Sequence, residues 1–350
     1  MFGSNNYLGL ASHPEVISSA VNALNKFGAG QASVREVSGT TTLIKDLEAK
    51  LADFYKMEKC LVFASCSTAN IGLISSIMRE GSVIFSDQEN HASIIDGCRA
   101  AKGQVVVIPH NNSSYLAEKI RHHDKAVLKM IITDGLFSMS GDIAPLPELM
   151  QLAEQHSAFL AVDEAHAAGV LGPSGKGTPE HYGLEGKIHI ITGTLGKTFG
   201  GGTGGYVVGS EDLIDYLFHR ARSFIFTNAI SPATAASALK AIHLLEQKPE
   251  LVSKLRKNAT RIREGLRKIG YNIPSGESAI IPVLTRDTFK TMALSRGLFE
   301  SGVFAPGIGH PVVPEGQALI RVQASASFDD EIISKALSIF QKVGQDLELI

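Results

Sequence analysis

Residues 188–210 read IHIITGTLGKTFGGGTGGYVVGS. An apolar run, Ile188-His189-Ile190-Ile191-Thr192, leads into Gly193-Thr194-Leu195-Gly196-Lys197. After a second glycine cluster, a second apolar run follows at Tyr206-Val207-Val208. Glycines between strands let the backbone approach a ligand closely. The pattern predicts a strand–loop–strand unit that presents Lys197 to a bound group. Nucleotide motifs fit poorly here. Gly196-Lys197-Thr198 resembles the end of a P-loop, but that motif needs a glycine where Ile191 stands and a helix where Phe199-Gly200-Gly201-Gly202 stands. Gly200, Gly202 and Gly205 fit GxGxxG, yet a strand follows instead of a helix.

Working outward, apolar runs end repeatedly in polar groups. Residues 159–162 (FLAV) end in Asp163-Glu164-Ala165-His166, which looks like a helicase motif, but the glycine-lysine element follows it and a helicase P-loop comes first. Residues 128–132 end in Thr133-Asp134-Gly135-Leu136-Phe137-Ser138-Met139. Residues 83–85 precede a polar segment holding His91, and residues 105–108 form a further strand. Residues 60–63 enter Ala64-Ser65-Cys66-Ser67-Thr68-Ala69-Asn70, small residues that open a helix. Helices are predicted over 14–27, 43–55 and 147–156, the first burying Val16, Ile17, Ala20, Val21, Leu24 and Phe27. This alternation argues for an α/β fold with a mostly parallel central sheet, whose ligands gather at the strand ends. From about Ser231 the pattern changes to helices over 232–245 and 251–269, short strands over 279–284 and 318–322, loops rich in Pro and Gly, and a last helix over 329–347. The expected division is a large cofactor-binding domain, 1–245, and a smaller α+β domain, 246–350.

The composition narrows the function. With 44% hydrophobic and 19% charged residues, the chain is globular. A formal charge of −2 gives no electrostatic case for nucleic acid or an anionic membrane as partner. No apolar run reaches membrane-spanning length. Cys60, Cys66 and Cys98 are too scattered for a disulfide framework or a metal site, and read as reduced thiols in the cytoplasm. The N-terminus lacks the basic and apolar regions of a secretory signal.

The converging residues suit pyridoxal phosphate, which needs a lysine for its aldehyde, a carboxylate for its pyridine nitrogen and donors for its phosphate. Lys197 is the candidate lysine and Asp163 the candidate carboxylate. His166 is placed to bond the phenolic oxygen, and the flat ring of His91 to stack on the cofactor. The helix that opens at Cys66 offers N–H groups to an anion.

Taken together, these segments resemble the α-oxoamine synthases, fold type I pyridoxal phosphate transferases that join an amino acid to an acyl-CoA. The resemblance runs from Asn5-Asn6-Tyr7-Leu8-Gly9-Leu10 through SDQENHASIID (86–96), TDGLFSMSG (133–141), VDEAHAAG (162–169) and TGTLGK (192–197) to the C-terminus. It implies that Lys197 forms the Schiff base and removes the α-proton, with Asp163, His166 and His91 as its catalytic partners. It implies cofactor contacts at Cys66, Ser67, Ser138 and Thr194, and at Thr227 and Asn228 reaching the phosphate from the partner subunit of a homodimer. Arg321 and Asn5, with His91, are implied to hold the amino-acid substrate. The resulting carbanion would attack the thioester and release CoA. The N-terminal arm that family members carry before the NNYLG-type segment is absent from this sequence. Ala32-Ser33-Val34-Arg35, the TLGK segment with Gly200-Gly201, and Pro311–Gln317 look closest to glycine C-acetyltransferase, which condenses glycine with acetyl-CoA. The second reading is 8-amino-7-oxononanoate synthase, acting on alanine and a pimeloyl thioester; a non-catalytic dimer partner is a third.

Overall fold

The computed structural model describes all 350 residues. Seven strands form one sheet: β1 (Lys59–Phe63), β2 (Val83–Asp87), β3 (Gln104–Ile108), β4 (Lys129–Asp134), β5 (Phe159–Asp163), β6 (Ile190–Thr194) and β7 (Gly205–Gly209). Their order is β1-β7-β6-β5-β4-β2-β3. The neighbours from β3 to β6 pair in parallel, and β7 runs antiparallel to both β6 and β1. Strands β4 and β7 are buried along their whole length, as helix-covered parallel sheets require. Val105 and Val107 of β3 are exposed because β3 is a sheet edge. The core gathers Leu73, Ile74 and Met78, in and just after the Cys66–Ile77 helix, against Ile84, Met130, Ile132, Ala161, Ile190 and Val207 of the sheet.

This sheet belongs to a unit made of Leu10–Phe137 and Ile143–Lys248. A second unit holds Pro249–Ile350 together with Met1–Gly9 and Ser138–Asp142. Its sheet is antiparallel, in the order β8 (Ile280–Leu284), β10 (Leu319–Gln323), β9 (Gly307–Ile308). The two short segments depart from the expected division at 245, and backbone hydrogen bonding explains why. Phe2 N–H donates to Phe304 O, Gln323 N–H to Phe2 O, and Ala326 N–H to Tyr7 O. Gly141 lies against Ile280, and its carbonyl accepts from Ser278 Oγ.

Two further expectations are corrected. In the Pro14–Phe27 helix Val16 and Ala23 are buried, while Ile17, Val21 and Leu24 lie exposed. A helix also spans Thr288–Glu300, inside the stretch read as Pro- and Gly-rich loops. Its apolar residues Phe289, Met292 and Phe299 are exposed beside buried Leu294 and Leu298, so no single apolar stripe marks it.

Candidate active site

The C-terminal ends of β4, β5 and β6 bring the first group together. Asp134 stands in register with Asp163, and Asp163 with Thr192. Asp163 is 3% exposed. Its Oδ2 accepts from Asn70 Nδ2 at 2.7 Å and its Oδ1 from Ala165 N–H at 2.8 Å. Cys66 Sγ lies 3.6 Å from Oδ2. Asp134 is also buried, and its Oδ2 accepts from His91 N–H at 2.8 Å. Burial pushes the Asp134 carboxyl well up, and the charge of Asp163 beside it adds to the effect. Burial likewise raises the Cys66 thiol, with Asp163 again contributing, while the Lys197 ammonium opposes both shifts. Lys197, Asp163, Asp134 and Cys66 therefore form one electrostatic cluster.

The loop between β6 and β7 carries Lys197. Thr194, the last residue of β6, anchors it: its hydroxyl donates to Gly204 O and accepts from Gly196 N–H at 3.0 Å. At the far end Gly205 is pressed against the Cys66 turn, where an added Cβ would lie 2.4 Å from Cys66 N. The hairpin and the start of the Cys66–Ile77 helix are thus in direct backbone contact. That helix begins with a capping box in which Ser65 Oγ accepts from Thr68 N–H and Thr68 Oγ1 from Ser65 N–H. The first-turn N–H groups of Cys66 and Ser67 lack intrahelical acceptors, an arrangement suited to an anion.

His91 caps the Ala92–Ala100 helix and is exposed, whereas His166 is buried behind Asp163 in sequence. Thr227 and Asn228 are built into a different edge of this unit. Asn228 bridges to Val34, and the next residue, Ala229, donates its N–H to Ser33 O. The second unit brings Asn5, Ser138 and Arg321 together with two residues the sequence reading passed over, Tyr7 and Gln323. Gln323 Nε2 donates to Asn5 Oδ1 at 2.6 Å, and Arg321 Nη1 to Ser138 O at 3.4 Å. Buried Tyr7 is close enough for the Arg321 charge to act on its hydroxyl. Arg321 and Gln323 alternate along β10, so both side chains lie on one face.

These residues fit pyridoxal phosphate. Asp163, buried and with only hydrogen-bond donors on its oxygens, would hold a protonated pyridine nitrogen, and the first-turn N–H groups of Cys66 and Ser67 would meet the phosphate. The hydroxyls of Thr192 and Thr198 are buried without a hydrogen-bond partner. The model of the aminotransferase class I and II family matches residues 1–340. The chain belongs to that family. Among its relatives, 8-amino-7-oxononanoate synthase of Thermoanaerobacter pseudethanolicus is 45% identical over 99% of this chain and 88% of its own. A lysine-to-alanine variant of a serine palmitoyltransferase from S. paucimobilis, solved with a bound PLP–myriocin aldimine, superposes with a TM-score of 0.96 at 32% identity, covering 100% of this chain and 88% of that one. The 8-amino-7-oxononanoate synthase of Francisella tularensis superposes at 0.82 with 28% identity, covering 100% and 98%. The protein is therefore a pyridoxal phosphate-dependent α-oxoamine synthase of fold type I. Its first-expected closeness to glycine C-acetyltransferase is not what the relatives show; they carry the name of the second reading.

A structural reason for that misreading lies in Arg35, one of the residues on which it rested. Arg35 is 4% exposed. It is bound to Glu48 at 2.8 Å, to Val62 O at 2.9 Å and to Thr40 Oγ1 at 3.0 Å. Its guanidinium holds the scaffold and is not available to select a substrate. The family's α/β framework also hides Asn70 and Glu164, both 0% exposed; only their place after an apolar run hints at them.

Proposed function

We propose that this protein condenses alanine with a pimeloyl thioester, releasing the thiol and the alanine carboxylate as carbon dioxide to form 8-amino-7-oxononanoate. The 45% identity to a relative of that name across nearly the whole chain carries the reading. Lys197, Asp163 and His166 are all retained, which favours an enzyme over a non-catalytic partner. When bound, pyridoxal phosphate supplies an aldehyde for the amino group and an electron sink for the carbanion. The residues do the rest. Lys197 Nζ holds the cofactor and then takes the α-proton of alanine. Asp163, kept acceptor-only by its two donors, holds a proton at the ring nitrogen. His166 bonds the phenolic oxygen, and His91 covers the ring. Cys66 and Ser67 give backbone N–H groups to the phosphate, and Thr194 turns its hydroxyl proton from Gly204 O to it. Arg321 grips the substrate carboxylate with its planar fork, aided by Asn5 and with Ser138 nearby.

The active form is read as a homodimer in which Thr227 and Asn228 complete the partner's phosphate site. Asn228 and its neighbour Phe226, 69% exposed, are on the surface and tied to the Ser33–Val34 segment. Such exposed apolar side chains are suited to a protein interface.

The test is thiol release from pimeloyl-CoA or acetyl-CoA with alanine or glycine. Alanine with pimeloyl-CoA should exceed glycine with acetyl-CoA by about a hundredfold in kcat/KM, the scale on which pockets sort small apolar differences. The reverse order would overturn the reading in favour of glycine C-acetyltransferase.

A further inference from the structure

A line of four side chains runs from β5 to the Ala92–Ala100 helix: Asp163, Asn70, Ser93 and His91. An ionised carboxylate only accepts hydrogen bonds. Asn70 must therefore face Asp163 with its Nδ2, and does so at 2.7 Å. The second hydrogen of that same nitrogen is directed to Ser93 Oγ at 2.9 Å. Ser93 Oγ is thereby used as an acceptor, and its own proton is left to donate to His91 Nδ1 at 2.8 Å. The Ser93 backbone N–H donates to the same ring nitrogen at 3.2 Å. Nδ1 is thus an acceptor twice over, and the proton of the neutral ring sits on Nε2.

The arrangement is costly in one respect. Asn70 Oδ1 is buried without any partner. Turning the amide over would relieve nothing, because it would set Oδ1 against the Asp163 carboxylate. Asn70 and Ser93 are 0% and 4% exposed, so solvent does not compete for the Asp163–Asn70 and Asn70–Ser93 bonds.

We propose that Asn70 and Ser93 are positioning residues that lock His91 in its Nε2–H form while Asp163 is ionised, so that His91 meets the amino-acid carboxylate with a hydrogen-bond donor. The proposal rests on the assignment of His91, Asp163 and Arg321 given above, and adds a coupling between the acid and the histidine. Ser93 and Asn70 then separate experimentally. Ser93 bonds His91 and Asn70 but not Asp163, whereas Asn70 bonds Asp163 directly.

The experiment titrates alanine into the holoenzyme without thioester and follows the cofactor absorbance. Ser93→Ala should weaken alanine about tenfold, the loss of one hydrogen bond's worth of orientation, and leave the starting band and its pH midpoint unchanged. Ser93→Thr, which keeps the hydroxyl, should restore the affinity. Asn70→Ala should weaken alanine and also move the pH midpoint of the band, since Asp163 loses a donor. If Asn70→Ala does not fold, the two Ser93 variants decide alone. Ser93→Ala with native alanine affinity overturns the coupling, whatever its melting temperature. Arg321→Lys distinguishes the two levels: weakened alanine there with native affinity in Ser93→Ala refutes only the coupling. Native affinity in both refutes the coupling and the substrate assignment together.

Discussion

Glu164 follows Asp163 directly and is fully buried, with Oε2 accepting from Thr178 N–H at 2.8 Å. Burial pushes its carboxyl up to about 8, from an ordinary 4.5. The sign of its effect follows from proton counting. Between about 4.5 and 8 the folded chain keeps this proton and the unfolded chain loses it, so stability falls as pH rises through that window and levels off above it. Glu164→Gln removes the titration. Its melting temperature should exceed that of the native protein at pH 8, and the gap should close toward pH 5. A constant gap at both pH values would contradict the assignment. Single residues differ in how readily the sequence reveals them. Asp163 and His166 could be read because an apolar run ends at a charged pair that Lys197 makes meaningful. Asn70 and Gln323 could not: a buried amide owes its role to the groups that surround it, Asp163 and Ser93 in one case and Asn5 in the other.

The β6–β7 hairpin was predicted two residues early. It starts at Ile190, not Ile188, and so makes Thr194 the last strand residue. The glycines around it fixed its general form, but register is set by pairing with β5 and β7, which no local pattern reports. Gly205 is a tight point where a methyl group meets backbone on the Cys66 turn. Gly205→Ala should therefore shift the helix N-terminus and weaken retention of pyridoxal phosphate by at least about tenfold, a factor that corresponds to roughly 1.4 kcal/mol. Unchanged retention on dialysis would show that the turn tolerates the methyl group. Nearby, Arg35 and Glu48 form an ion pair with side chains only 3% and 5% exposed. Breaking it with Glu48→Ala leaves a buried charge and should cost about 3–5 kcal/mol in denaturant unfolding, with no change in the alanine-to-glycine preference. A changed preference would contradict a purely scaffolding role for Arg35. The Pro14–Phe27 helix was legible as a helix but not in its orientation, because Ile17, Val21 and Leu24 make an apolar face whichever side packs inward.

At the scale of the molecule, the parallel sheet was legible from alternating apolar runs and helical patterns. The assignment of Met1–Gly9 and Ser138–Asp142 to the second unit was not, because both depend on long-range backbone pairing. A shared active site predicts complementation. Chains carrying Lys197→Ala and chains carrying Thr227→Ala with Asn228→Ala should each be nearly inactive. Mixed dimers place both defects in one site and leave the other intact, so random mixing should restore activity to about a quarter of native. No restoration would contradict the shared site. No helix is long and apolar enough to cross a membrane. The central claim is that Lys197 carries pyridoxal phosphate beside Asp163. Borohydride reduction of the holoenzyme, which converts the Schiff-base C=N bond to a stable C–N bond, followed by peptide mapping, tests it most directly. The label should fall on the peptide containing Lys197 and disappear in Lys197→Ala; a label on another lysine, or none in a cofactor-saturated native protein, would contradict the account.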